Sequence, residues 1–161
     1  MIVLGKVAEV RSVGGVQIAR LRITETLKGA KRRELFFLAQ STWICDISAA
    51  KQGETVLLFL FSDVPVPATD DEETLFSLPK TFKRSLGEAG ITEMFRIADA
   101  GRGRMPVRVM DHQRFVTLWV DDVKLPKDVE TFDGAEPKHS FIRSVRLGDI
   151  LHLVNEAISS R

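Results

Sequence analysis

Gly53-Glu54-Thr55-Val56-Leu57-Leu58-Phe59-Leu60-Phe61 decides how this chain is read. Six consecutive apolar residues, part β-branched and part aromatic, follow a Gly-Glu turn signal, and Ser62-Asp63 with Pro65 and Pro67 closes them. So short a run, bounded by breakers on both sides, predicts a strand buried on both faces. A helix does not suit it, because the prolines follow at once and Gly53 precedes. A strand of that kind needs neighbours, and the flanking segments supply them.

Upstream, Ile2 to Val13 reads as a first strand, with Leu4, Ala8 and Val10 on one face, interrupted by Lys6, and Val3 and Val7 on the other. Gly14-Gly15 is a turn. Val16 to Thr26 returns. Val16 and Ile18 share one parity while Leu21 and Ile23 share the other, so the phase switches near Ala19-Arg20. Either a β-bulge lies there or Val16 and Ile18 face a different neighbour. After Leu27-Lys28-Gly29 and a basic connection from Ala30 to Arg33, Glu34 to Ala39 forms a third strand. Gln40 to Gln52 is irregular and holds Trp43 and Cys45. The first half therefore predicts a meander of about four strands with no long helix between them, which is mainly β and antiparallel.

Downstream, Val64 to Thr74 carries Pro65, Pro67 and Asp70-Asp71-Glu72-Glu73 and reads as a solvated loop, since its carboxylates lack the spacing and the glycine of a calcium loop. A short helix is expected from Ser77 to Gly87, with Ser77 as cap and Leu78, Phe82 and Leu86 on one face. Ile91 to Ile97 is a further short strand. Gly101-Arg102-Gly103-Arg104 is a basic turn, and Val107–Met110 with Phe115–Val120 forms a hairpin joined by Asp111-His112-Gln113-Arg114. Val123 to Pro126 continues the edge, and Thr131 to His139 is a loop. A closing helix from Leu147 to Ser159 aligns Leu147, Ile150, Leu151, Val154 and Ile158, with Asp149 in its first turn.

Composition narrows the class. At 161 residues and 44% hydrophobic, the chain suits one domain spanning 1–161 with a real core. Lys+Arg 23 against Asp+Glu 22 leaves no global field to draw nucleic acid or an acidic membrane. No apolar stretch reaches the roughly 20 residues that span a bilayer. Met1-Ile2-Val3-Leu4-Gly5 has no basic n-region, so it is not a signal peptide, and the sequence begins inside its first strand. The single cysteine excludes an internal disulfide framework.

The order of parts carries a resemblance. A Gly-Lys-Val strand, a second strand ending Ile23-Thr24-Glu25-Thr26-Leu27-Lys28-Gly29, a third strand, an isolated Cys45, and Gly53-Glu54 running into Val56-Leu57-Leu58-Phe59-Leu60 are similar to the netrin-like module. That family includes the inhibitory domain of tissue inhibitors of metalloproteinases and many uncharacterised bacterial domains. The likeness covers about Val3 to Phe61. It implies an OB-like antiparallel β-barrel with helices packed against it, an interaction role, and an exported bacterial domain whose targeting segment lies outside this sequence. The inhibitors chelate a protease zinc through an N-terminal cysteine; Met1 stands here, so that activity is not carried over. Cys45 matches one half of a bridge whose mate is missing, and reads as a small buried hydrophobe.

No catalytic constellation emerges. His112 lies in a hairpin turn, His139 in a loop and His152 on the closing helix, and Gly-x-Ser-x-Gly, His-Glu-x-x-His and Cys-x-x-Cys are absent. The expectation is a non-catalytic protein-interaction module without cofactor or metal, its contacts made by Trp43, Arg102, Arg104 and Arg114 on loops held by a rigid scaffold. Trp43 either anchors a partner or plugs the barrel end. The alternative is single-stranded nucleic-acid binding through Arg102, Arg104, Arg108 and Arg114 with Phe115 and Trp119, or through Lys31-Arg32-Arg33. Few aromatics and no tyrosine argue against it. Phe36, Phe37, Phe59 and Phe61 are expected in the core.

Overall fold

Thr55–Ser62 is the strand on which the architecture turns. A computed structural model describes residues 1–40, 49–62, 81–98, 102–119, 125–133 and 142–160. The strands are β1 (Ile2–Val13), β2 (Val16–Lys28), β3 (Glu34–Leu38), β4 (Thr55–Ser62), β5 (Phe95–Ile97), β6 (Arg104–Met110), β7 (Gln113–Trp119), β8 (Thr131–Asp133) and β9 (Ile142–Arg146), with helices α1 (Phe82–Glu88) and α2 (Leu147–Ser159). The sheet runs β1-β2-β3-β5-β4-β6-β7-β9-β8, and β4 also pairs with β1. That pairing closes five strands into an OB-like barrel, with β3–β5 parallel and the other barrel pairs antiparallel. The expected four-strand meander is corrected here: β4 bonds to β1, not to β3, because closure requires the strand to return to the first edge.

β4 bonds on one side to β1 through Thr55–Phe59, and on the other to β6 through Thr55–Leu58 and to β5 through Leu60–Ser62. Its two faces serve different cores. Val56, Leu58 and Leu60 fill the barrel with Val3, Val7, Leu21, Phe37 and Ile97. Leu57 faces outward and packs with Leu4, Val116, Val145 and, from α2, Leu147, Ile150 and Val154. A strand apolar at every position is what burial on both faces demands. Phe61 departs from the expectation. It is 45% exposed, since the run extends past the point where α2 covers it. Phe36 is half-buried and lies under the Arg11 guanidinium, 6.0 Å from its centroid.

The phase switch in the second strand comes from its two parities facing different neighbours, and the bulge expected near Ala19-Arg20 is not in that strand. β2 pairs regularly with β3 from Ile18 to Arg22. Ile18 faces out to a third cluster with Leu38, Phe82, Leu86 and Met94, whereas Ala19 and Leu21 face the barrel interior. The bulge sits in β1: Val7 opposes Leu21 and Glu9 opposes Arg20, so Ala8 has no partner in the ladder. This reassigns Val10, which packs with Val3 and Val7 rather than with Leu4. Two further register shifts place extra residues, Thr24 and Leu27, in β2, and the Thr24 hydroxyl donates to the Leu4 carbonyl at 3.1 Å. Together these shifts coil the β1–β2 pair enough to close the cylinder.

Two glycines mark where backbones nearly touch. A Cβ on Gly5 would come within 2.6 Å of the Arg22 carbonyl oxygen, and one on Gly103 within 2.9 Å of the Phe59 carbonyl oxygen. Gly103 accepts from Phe59 N–H and donates to the Ala98 carbonyl, stitching the start of β6 between β4 and the end of β5.

The short helix contains Phe82 and Leu86, both buried as expected; the proposed cap Ser77 and the acidic loop from Asp70 to Glu73 lie outside the described residues. Only Phe95–Ile97 of the expected Ile91–Ile97 strand is extended, although Ile91 and Met94 are buried. Thr131–Asp133, expected as loop, pairs with β9 instead, anchored by an edge-to-face contact of Phe132 with Phe115 at 5.2 Å. α2 occupies the predicted span.

Leu58→Asp places an unpaired charge inside the barrel core and is expected to abolish the cooperative urea transition seen by circular dichroism. Gly5→Ala keeps the fold but is expected to lower its stability by about 1–3 kcal/mol in the same assay, because neither carbonyl nor Leu21 can yield without disturbing the ladder.

Candidate functional site

The end of the barrel from which β4 starts is built around Glu54. Its Oε1 accepts from Lys51 N–H at 3.0 Å and from Arg104 Nε at 3.1 Å, and its Oε2 accepts from Arg104 Nη2 at 2.6 Å. Both side chains are largely buried, 17% and 12% exposed. Val7 N–H donates to the Glu54 carbonyl and Gly53 N–H to the Val7 carbonyl, each at 2.8 Å. The turn before β4 is thus tied to β1 by backbone and to β6 by a bidentate ion pair, the strong form of carboxylate recognition.

Two hairpins extend past the start of β4 at this end, β1–β2 packed against β3 and α1 through Val16, Ile18 and Phe82, and β6–β7 reaching beyond its scaffold. β1 and β6 flank β4 and run the same way along it, Lys6 and Val107 each opposing Thr55. Beyond those positions both strands outrun β4. Arg108–Met110 pair only with β7, and Glu9–Val13 only with β2. The β6–β7 hairpin turns at Asp111 (φ 48) and His112 (φ 62), the left-handed pair of a type I′ turn, which Asn-Gly fills most readily. Near its tip Val109 is 71% exposed, opposite Arg114.

The outer face of the β1–β2–β3 hairpin and its neighbour forms rows of side chains. Glu9, Arg20 and Phe36 make one row, and Lys6, Arg22 and Glu34 the next. Arg20 holds both nearby carboxylates: its Nε lies 3.3 Å from Glu9 Oε2, an ionic contact not aligned as a hydrogen bond, and its Nη1 donates to Glu34 at 3.3 Å. Lys6, Ala8, Arg20 and Arg22 line a cleft of about 370 Å³ with Gln52 and Gly53.

The residues singled out in the sequence do not form one patch. Arg104 directs its donors at Glu54 and joins the fold. Arg102 is exposed just ahead of β6 and is engaged by another group of the chain. Arg114 is exposed near the hairpin tip, roughly 17 Å from Arg104 along β6 at the usual rise per residue. Trp43, Cys45 and His139 lie outside the described residues. Of the stacking candidates, Phe115 is buried against Phe132. Arg32 pairs with both oxygens of Glu93 and lies over Phe95. His112 is exposed in its turn, and His152 is exposed beside Glu156 on α2. Among the described residues no group of His, Cys, Asp and Glu is placed to hold a metal ion, and no helix is long and apolar enough to cross a membrane. Sequence reasoning missed Val109, hidden inside a strand pattern, and the Lys6–Arg22 pair, which only strand register brings together.

The fold defines the class: an OB-like barrel extended by a second sheet segment and a closing helix. Comparison with protein-family models finds no matching family, and comparisons with curated proteins and with solved structures find no match.

Glu54→Gln is expected to cost about 1–3 kcal/mol in urea unfolding, because it leaves the Arg104 guanidinium largely buried and without its counter-charge. Glu93→Gln, which removes a more exposed partner of Arg32, is expected to cost less than about 1 kcal/mol.

Proposed function

We propose that this chain is a non-catalytic protein-interaction module that engages its partner through the barrel end from which the β6–β7 hairpin projects. The observation that carries the reading is the β6–β7 hairpin tip. A branched apolar side chain, Val109, stands 71% exposed on a hairpin that outruns its scaffold. The turn beside it keeps Asp111 and His112 in left-handed backbone at a cost of roughly 1–2 kcal/mol per residue relative to glycine. Conformational cost retained at an exposed loop is a signature of functional surfaces. The base of the hairpin is fixed by the Glu54–Arg104 pair, so the tip is presented with little ordering entropy left to lose on binding. The resemblance of Val3–Phe61 to netrin-like modules supports the same role, and with it export.

Single-stranded nucleic-acid binding is the competing outcome. It is less well supported because Phe115, one of its stacking candidates, is packed inside and Arg104, one of its basic candidates, is engaged by Glu54.

Affinity purification from the native cells, with cross-linking, is expected to recover a protein partner with the wild-type chain and to lose it with Val109→Asp, whose unfolding transition stays unchanged. Retention of the same partner by Val109→Asp overturns the hairpin as the contact. A shift of oligothymidylate at about 20 mM salt that disappears at higher salt favours the nucleic-acid reading.

A further inference from the structure

We infer that the cleft between Lys6 and Arg22 is a docking site for an acidic peptide segment of a protein partner. The inference rests on the interaction role proposed above and adds the chemistry of what is bound.

Lys6 and Arg22 oppose each other directly across the β1–β2 ladder, on the outer face, and both are exposed. Like charges placed so repel and lower the stability of the pair of strands. Nothing among the described residues relieves them. No hydrogen bond or ion pair engages either cation, although many neighbouring arginines are engaged. The carboxylate across from Arg22 is Glu34, and it is turned to Arg20; Glu9, in the adjoining row, is held by Arg20 as well. The position across from Lys6 on β4 is Thr55, which brings no charge. Two uncompensated cations therefore face one cleft, an arrangement that an anionic ligand would convert from repulsion into a shared contact.

Two features select a peptide among anions. Past Val7, β1 is bonded among the described residues only to β2, so from Ala8 in the cleft wall onward its other edge is of the kind that an extended peptide backbone pairs with. Among the described residues the lining contains no aromatic ring, so none of them offers bases a stacking surface. The exposed ring of Phe61 stands toward the opposite end of β4, roughly 20 Å away at the usual strand rise. The cleft is also continuous with the Gln52–Gly53 turn that separates the two hairpins, so a segment seated there lies beside the surface that presents Val109.

Titration of the full chain with a fluorescein-labelled hexaglutamate peptide tests the site. Binding is expected to weaken as salt rises and to fall at least about tenfold in the Lys6→Gln/Arg22→Gln double variant, with hexaglutamine showing none. The double variant is also expected to unfold at higher urea than the wild type, since the repulsion is gone, and Lys83→Gln on α1 is expected to bind like the wild type. Absence of hexaglutamate binding, or binding unchanged in the double variant, overturns the inference. Oligothymidylate bound more tightly than hexaglutamate and lost in the same variant overturns it in favour of a phosphate-backbone site. These readouts are independent of the Val109→Asp experiment, so the site can fail while the interaction role stands.

Discussion

The structure depends on one strand being dry on both faces while bonded to three neighbours. β4 gives its backbone to β1 along one edge and divides the other between β6 and β5. Its side chains alternate between the barrel interior and the layer under α2. A fully buried aliphatic side chain contributes roughly 1.5–3 kcal/mol, and Val56, Leu57 and Leu58 are each wholly buried. Moving the register of β4 by one residue would exchange the contents of the two cores, so the strand fixes the phase of the whole sheet.

That dependence reaches the functional surface. Because β4 begins at Thr55 while β1 and β6 continue past it, the barrel end carries two hairpins with the Lys51–Glu54 turn between them. Glu54 then has to satisfy its carboxylate in partial burial, and Arg104 supplies the fork that does so. The ion pair is thus a consequence of where β4 starts, and the rigidity of the hairpin bases is a consequence of the ion pair.

The Ala8 bulge has an influence out of proportion to its size. Counting back from the Gly14-Gly15 turn, a regular hairpin would set Ile23 across from Lys6. The one extra residue in β1 moves Arg22 there instead and keeps Ile23 packed toward the barrel. The same shift brings Val10 onto the face of Val7, where simple alternation from Leu4 assigns it to the other side. Arg102, Arg104 and Arg114 are near one another in the sequence. A strand that rises about 3.3 Å per residue carries them apart, and a carboxylate from a distant turn takes one of them.

The amino-acid sequence by itself determined what depends on local chemistry. Breakers and apolar runs set the strands up to β4, two apolar runs about a short polar connection set the β6–β7 hairpin, although its turn narrows from Asp111–Arg114 to Asp111-His112, and helical spacing set α2 from Leu147 to Ser159. Tertiary structure alone decided which strands meet. Closure through β1–β4, the role of Thr131–Asp133 as a strand, the exposure of Val109 and the confrontation of Lys6 with Arg22 all follow from register between segments distant in the chain. Register is set by the packing of whole faces and by bulges that change the count by one, and neither leaves a mark in any short window of residues.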